Sequence, residues 1–164
     1  MITSNTSTAL EIISRHHIAD VWLNPATDHR SLHAAIAFEA GELIVNFRAL
    51  STQDFATYLT IQTGVNTHIT LQPEFLQYIN HSCDPNVFFD TDSMELTALK
   101  AIQPGEELCF FYPSTEWEMA QSFLCRCASQ DCLQLINGAA HLSTETLNRY
   151  RLTNFIISQL NQKL

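Results

Sequence analysis

The chain of 164 residues has no apolar run approaching the roughly 20 residues that a bilayer-spanning helix needs. Its first stretch, Met1 to Ala9, is polar and lacks the basic segment followed by an apolar one that marks an export signal. The expectation is a soluble, unexported, intracellular protein, cytoplasmic or nuclear, since no cluster of basic residues marks a compartment. Basic residues are scarce, 8 against 17 acids, for a net charge of -9. Long-range attraction to phosphate backbones is therefore unfavourable, which argues against direct binding of nucleic acid, and a basic partner is the better electrostatic match. No membrane association is expected, and the sequence leaves the oligomeric state unassigned.

Repeats, low-complexity tracts and long linkers are also missing. With 46% hydrophobic and 15% charged residues, the chain has enough apolar material for one well-buried core and too little for two large domains. An even set of thiols is missing too. The five cysteines are Cys83, Cys109, Cys125, Cys127 and Cys132, three of them crowded into one short segment. A disulfide framework explains that pattern poorly, and metal ligation explains it better. The C-x-C-x4-C run supplies three soft ligands, one fewer than a closed tetrahedral zinc site requires.

What is present reads as short strands with little helix. Leu10–Ser14 and Ile18–Leu23 precede an Asn24-Pro25 turn, and Ser31–Phe38 and Glu42–Phe47 flank a tight turn at Glu39-Ala40-Gly41. Tyr58–Gln62 and His68–Leu71 predict a hairpin around Gly64-Val65-Asn66, whose turn calls for residues tolerant of positive φ. Glu74–Ile79 predicts one helical turn, and Val87–Phe89 with Met94–Ala101 an antiparallel pair. After a turn at Gln103-Pro104-Gly105-Glu106, Glu107–Tyr112 predicts an apolar strand. Ser143 can cap a terminal helix whose apolar surface is Leu147, Tyr150, Phe155, Ile157 and Leu160. The fold class is α+β and β-rich.

The segment Tyr78 to Asn86 packs polar groups between apolar stretches. Asn80 and Asn86 donate and accept, His81 presents either ring nitrogen and Pro85 fixes the backbone, so the loop can frame a heteroaromatic ligand. The residues alone fit better a hydrogen-bonded turn around a structural histidine.

Asn80-His81-Ser82-Cys83-Asp84-Pro85-Asn86, followed by Gly105-Glu106-Glu107-Leu108 and Phe110-Phe111-Tyr112, resembles the signature of the SET-domain lysine methyltransferases. Cys125, Cys127 and Cys132 resemble that family's post-SET tail, and a weaker likeness runs through His29 to Ile44. The resemblance implies a SET fold of short curved β-sheets with a knot-like C-terminal crossing, a post-SET zinc tail and a C-terminal helix. It divides the chain into an extension (1–9), a SET domain (10–119), a post-SET segment (120–138) and the C-terminal helix (139–164). It implies S-adenosyl-L-methionine bound by Tyr78, Asn80 and His81, with Ser31, Leu32 and His33 from the opening segment, and Tyr112 as the catalytic tyrosine. It also implies a structural four-cysteine zinc site of Cys83, Cys125, Cys127 and Cys132, which leaves Cys109 outside.

The implied reaction is methyl transfer to a lysine side-chain amine of a basic protein or peptide. Four of this chain's positions depart from the family. His29-Arg30-Ser31 stands where the family carries Gly-x-Gly, Gln77 replaces an arginine, and Ala128 replaces a tail glycine. Side chains at the two glycine positions crowd a close backbone approach, so a cofactor-impaired module that binds a peptide or partner is one alternative. A methyltransferase of a small-molecule amine is another.

Overall fold

The computed structural model describes residues 9–163, so all but the last residue of the expected 1–9 extension lies outside the described residues. In chain order the first strands are β1 (Glu11–Arg15), β2 (Ala19–Asn24), β3 (His29–Ala34), β4 (Leu43–Asn46), β5 (Arg48–Gln53), β6 (Ile61–Gly64) and β7 (Thr67–Gln72). A 3-10 turn at Glu74–Tyr78 leads to β8 (Asn80–His81), β9 (Val87–Asp90), β10 (Glu95–Ala98) and β11 (Cys109–Phe110). A second 3-10 turn at Tyr112–Ser114 precedes β12 (Phe123–Leu124), β13 (Leu135–Ile136), α1 (Thr144–Leu147) and α2 (Asn154–Lys163).

Three small antiparallel sheets result, ordered β1-β2-β3, β4-β10-β9 and β5-β7-β6. Each buries alternate residues, such as Ala19 and Val21 on β2 and Ile69 and Leu71 on β7. The sheets share one core in which Phe47, Phe89 and Phe110 meet edge to face, with centroids 5.3 and 4.9 Å apart. A second apolar cluster of Phe111, Ala139, Leu147 and Ile156 holds the C-terminal segment. At the end of β11 successive side chains diverge, Phe110 into the main core and Phe111 just beyond the strand into this cluster, where Tyr150 stacks on it at 3.6 Å.

The antiparallel pair β9–β10 and the turn at Gly105 form as the sequence predicts. Four elements differ. The segments flanking Gly41 do not pair with each other: β3 lies against β2, and β4 against β10, because each finds its apolar cover in a different sheet. The β6–β7 hairpin forms without positive φ at Gly64, Val65 or Asn66, since a register shift between Gln62 and Gly64 absorbs the twist. The strand foreseen over Glu107–Tyr112 narrows to Cys109–Phe110, its flanks bonding elsewhere: Leu108 N–H donates to Leu32 O at 2.8 Å and Tyr112 N–H to His81 Nδ1 at 3.1 Å. Ser143 does cap a helix, accepting Thr146 N–H at 3.1 Å, but that helix ends at Leu147. The break lets Tyr150 reach Phe111 and Thr153 N–H reach Ser114 O at 3.0 Å, contacts that a continuous helix would forfeit.

Gly138 ties the two halves of the C-terminal cluster together. Its φ is +89°, and an added Cβ would sit 2.5 Å from the Trp117 carbonyl oxygen. Gly138→Ala should therefore cost about 2 kcal/mol from the left-handed backbone and the clash together. Urea unfolding reads this as a lowered midpoint at constant slope. No helix among the described residues is long and apolar enough to cross a membrane.

Candidate active site and thiolate cluster

β8 and β11 pair in parallel and bring the Asn80–Asn86 loop beside the last strand. Side chains complete the join. Asn86 Nδ2 donates to Glu107 O at 2.8 Å while its Oδ1 accepts Cys109 N–H at 2.8 Å, so this asparagine substitutes for one rung of the ladder. Asn80 Nδ2 donates to Arg30 O at 3.0 Å and to Glu107 Oε1 at 2.9 Å. That amide thereby fixes the β3 backbone to both crossing segments.

Beside this crossing lies a cavity of about 800 Å³. Tyr78, Asn80 and Tyr112 line it, together with Asp28, His29 and Arg30 at the start of β3 and Met119 to Phe123 ahead of the cysteine segment. Gln77 also lines it. His81 stands behind the wall, its ring 5.2 Å from that of Tyr112. The structure does not bring Ser31, Leu32 and His33 to the cavity. Ser31 Oγ bonds His33 Nε2 at 2.9 Å, His33 Nδ1 donates to Gly105 O at 2.9 Å, and Leu32 is fully buried in the core. Alternation puts Leu32 on the core face of β3 and Ser31 with His33 on the other, where their mutual hydrogen bond and the packing of Trp22 against His33 bury them too. Of the two positions where side chains replace glycines, 29 borders the cavity and 31 does not.

Burial sets the protonation states. It pushes the Tyr112 hydroxyl well above its ordinary range, so that group stays protonated and acts as a donor. The hydroxyl has no protein hydrogen-bond partner among the described residues, and Phe110, His81 and Phe123 surround its ring at 4.7, 5.2 and 5.9 Å. Burial also lowers His81 to about 4, so the ring is neutral at physiological pH. Its Nδ1 accepts Tyr112 N–H, which leaves the proton on Nε2, 3.3 Å from Cys83 Sγ. His81 thus links the tyrosine to the thiolate cluster.

The cluster consists of Cys83, Cys125, Cys127 and Cys132, whose sulfurs all lie within 4.8 Å of one another. Cys83 and Cys125 are 4.0 Å apart. Tetrahedral zinc with Zn–S near 2.3 Å requires S–S separations of about 3.8 Å, so the donor set fits that ion. Backbone N–H groups already point at the sulfurs: Leu133 donates to Cys83 and Cys127 to Cys125, both at 3.4 Å. Burial, reinforced by the neighbouring sulfurs, pushes the Cys83 thiol up, a penalty that a bound cation would reverse. Ala128, where the family carries glycine, takes φ +58°. Cys109 is separate; burial, with Glu107 adding to it, pushes its thiol up to about 12.

The β12–β13 hairpin carries the cysteine segment, and Phe123 at its start is both a cavity wall and a neighbour of His81 at 5.6 Å. A functional candidate that sequence reasoning missed also lines the cavity: Glu116, four residues after Tyr112 and almost fully buried. Its sequence signal is slight, because an isolated acid after a strand ordinarily faces solvent.

A SET domain family model matches residues 29–113. The chain is similar to the methyltransferase flvH of Aspergillus flavus, with 40% identity over 124 residues, covering 74% of this chain and 69% of that one. It is also similar to the histone-lysine N-methyltransferase, H3 lysine-36 specific, of Saccharomyces cerevisiae, with 26% identity over 96 residues, 55% of this chain and 13% of that one. Among solved structures, the methyltransferase domain of human histone-lysine N-methyltransferase SETMAR superposes with a TM-score of 0.49 at 17% identity, over 80% of this chain and 58% of that one.

Proposed function

This chain belongs to the SET domain family of S-adenosylmethionine-dependent methyltransferases, and from that premise we propose that its methyl acceptor is a lysine side-chain amine in a basic protein. The observation that carries the reading is the Tyr112 hydroxyl, protonated and without a protein partner among the described residues, on the wall of a cavity of about 800 Å³ that Asn80 and Tyr78 also line. That volume suits a cofactor and an extended side chain together. Tyr78, Asn80 and Arg30, which line the cavity, would hold S-adenosylmethionine, which when bound supplies an electrophilic methyl group. Zinc in the four-cysteine cluster would hold the tail, and with it Phe123, against the site.

A lysine reacts only as the neutral amine, and with an ordinary pKa near 10.4 roughly one molecule in 2,500 is neutral at pH 7. Deprotonation thus costs about 4.6 kcal/mol. The apolar rings of Phe110, Phe123 and Tyr112 disfavour the ammonium, and the tyrosine hydroxyl orients the amine nitrogen without abstracting its proton. The net charge of -9 suits a basic partner.

Titrating zinc-loaded protein with S-adenosylmethionine should show binding in roughly the micromolar range. Incubation with labelled cofactor and core histones or a cell lysate should then give methyllysine on acid hydrolysis. Label confined to a small amine would replace the protein substrate with a metabolite. Absence of cofactor binding by the folded, zinc-loaded protein would reject the enzyme.

A further inference from the structure

Glu116 stands on the cavity wall as a carboxylate with no cation. Its side chain is only 7% exposed, and none of the four ion pairs among the described residues includes it. Both of its hydrogen bonds end on Oε1, which accepts Gln62 N–H at 2.8 Å and the Thr115 hydroxyl at 3.1 Å. Oε2 has no hydrogen-bond partner among the described residues. The carboxylate is also held rigidly: Trp117 N–H donates to Gln62 Oε1 at 2.9 Å, clamping β6 to the chain that follows Tyr112. Glu116 N–H donates to Tyr112 O at 3.0 Å, so acid and tyrosine leave the same tight turn and face one cavity. A buried charge without a partner is costly unless something joins it. Burial accordingly pushes this carboxyl up to about 7, against the pull of its two hydrogen bonds.

We propose that Glu116 receives the substrate's ammonium group and takes its proton, so that the cavity admits a primary aliphatic amine in its charged form despite the apolar rings that disfavour the ammonium where the methyl group is transferred. This rests on the methyl-transfer reading, and it assigns the proton that the reading leaves without an acceptor. In the step, one N–H bond of the ammonium breaks, its electron pair stays on nitrogen as the lone pair, and the proton bonds to Oε2. An ion pair becomes a neutral amine beside a neutral acid. Burial of the carboxyl favours that exchange because both charges disappear. Tyr112 cannot take the proton, since its hydroxyl already carries one and burial strongly disfavours the phenolate.

Glu116→Gln keeps an acceptor for Gln62 N–H and removes only the charge, so it separates recognition from bracing. The probes are n-butylammonium chloride, a mimic of the lysine side-chain end, and its uncharged isostere 1-butanol. Each is titrated calorimetrically into zinc-loaded protein saturated with S-adenosylhomocysteine. Wild type should prefer butylammonium by about tenfold or more, Glu116→Gln should lose that preference, and Glu116→Asp should keep part of it. A wild type without the preference overturns the proposal and needs no variant to show it. An undiminished preference in Glu116→Gln overturns it as well. Labelled protein lysine alongside an unchanged preference would leave methyl transfer standing and remove Glu116 alone. Loss of the preference in Glu116→Gln with no labelled protein would keep the amine site and reject the protein substrate.

Discussion

Cys83→Ser should abolish stoichiometric zinc, lower the melting temperature by on the order of 10 °C and cut methyl transfer with it. The scale follows from what the ion would connect. Cys83 belongs to the loop that follows Asn80 and His81, whereas Cys125, Cys127 and Cys132 belong to the tail, and a metal among the four joins segments more than 40 residues apart. The tail residues Met119 to Phe123 wall the cavity, and Phe123 packs on both His81 and Tyr112. Releasing the tail therefore removes a side of the site as well as stability. The His81 Nε2 proton, directed at Cys83 Sγ, would face a neutral hydroxyl in place of a sulfur ligand. Plasma emission analysis counts the metal, and calorimetry reads the melting temperature. Cys109→Ser is the control, because Cys109 lies outside the cluster and its thiol is held protonated by burial. Equal metal loss in that variant would show the ligand set to be wrong.

Tyr112→Phe should reduce turnover by about a thousandfold while cofactor affinity stays within roughly threefold of wild type. The substitution deletes one oxygen. It leaves the ring contacts with Phe110, His81 and Phe123 in place, and the hydrogen bond to His81 Nδ1 comes from the backbone N–H of residue 112, so that bond survives too. What disappears is a buried, protonated donor on the cavity wall, and a single preorganised hydrogen bond in such a position is worth several kcal/mol. Single-turnover kinetics at saturating substrate separate this from a binding defect. A loss confined to KM would make Tyr112 a binding wall, and unchanged turnover would end its catalytic role.

Much of this was legible in the residues. Five cysteines with a C-x-C-x4-C run call for a fourth soft ligand, and the dense Asn80–Asn86 loop marks a site because such polarity between apolar stretches needs partners. Hydrophobic alternation reveals β2, β7 and β10, and a continuous apolar run reveals β9, whose Val87, Phe88 and Phe89 are all buried. It does not reveal β5, whose residues are largely exposed or half-buried, so no apolar stripe announces the strand. It also misplaces the end of the chain: Leu147, Tyr150, Phe155 and Leu160 read as a single helix, yet the stacking of Tyr150 on Phe111 and the bond from Thr153 to Ser114 outweigh the few hydrogen bonds that continuing the helix would add.

Composition, spacing and period by themselves determined the β-rich class and the three clustered thiols Cys125, Cys127 and Cys132, because these are properties of the chain alone, and the resemblance to the SET-domain signature added Cys83 and Tyr112. Only the tertiary structure decided which residues border the cavity. Packing on both faces of β3 buried Ser31, Leu32 and His33, while His29 and Arg30 at its start border the cavity. The clamp between Gln62 and the Glu116–Trp117 segment brought a buried carboxylate to the same space. Those placements depend on contacts between residues far apart in the chain, and no local pattern encodes them.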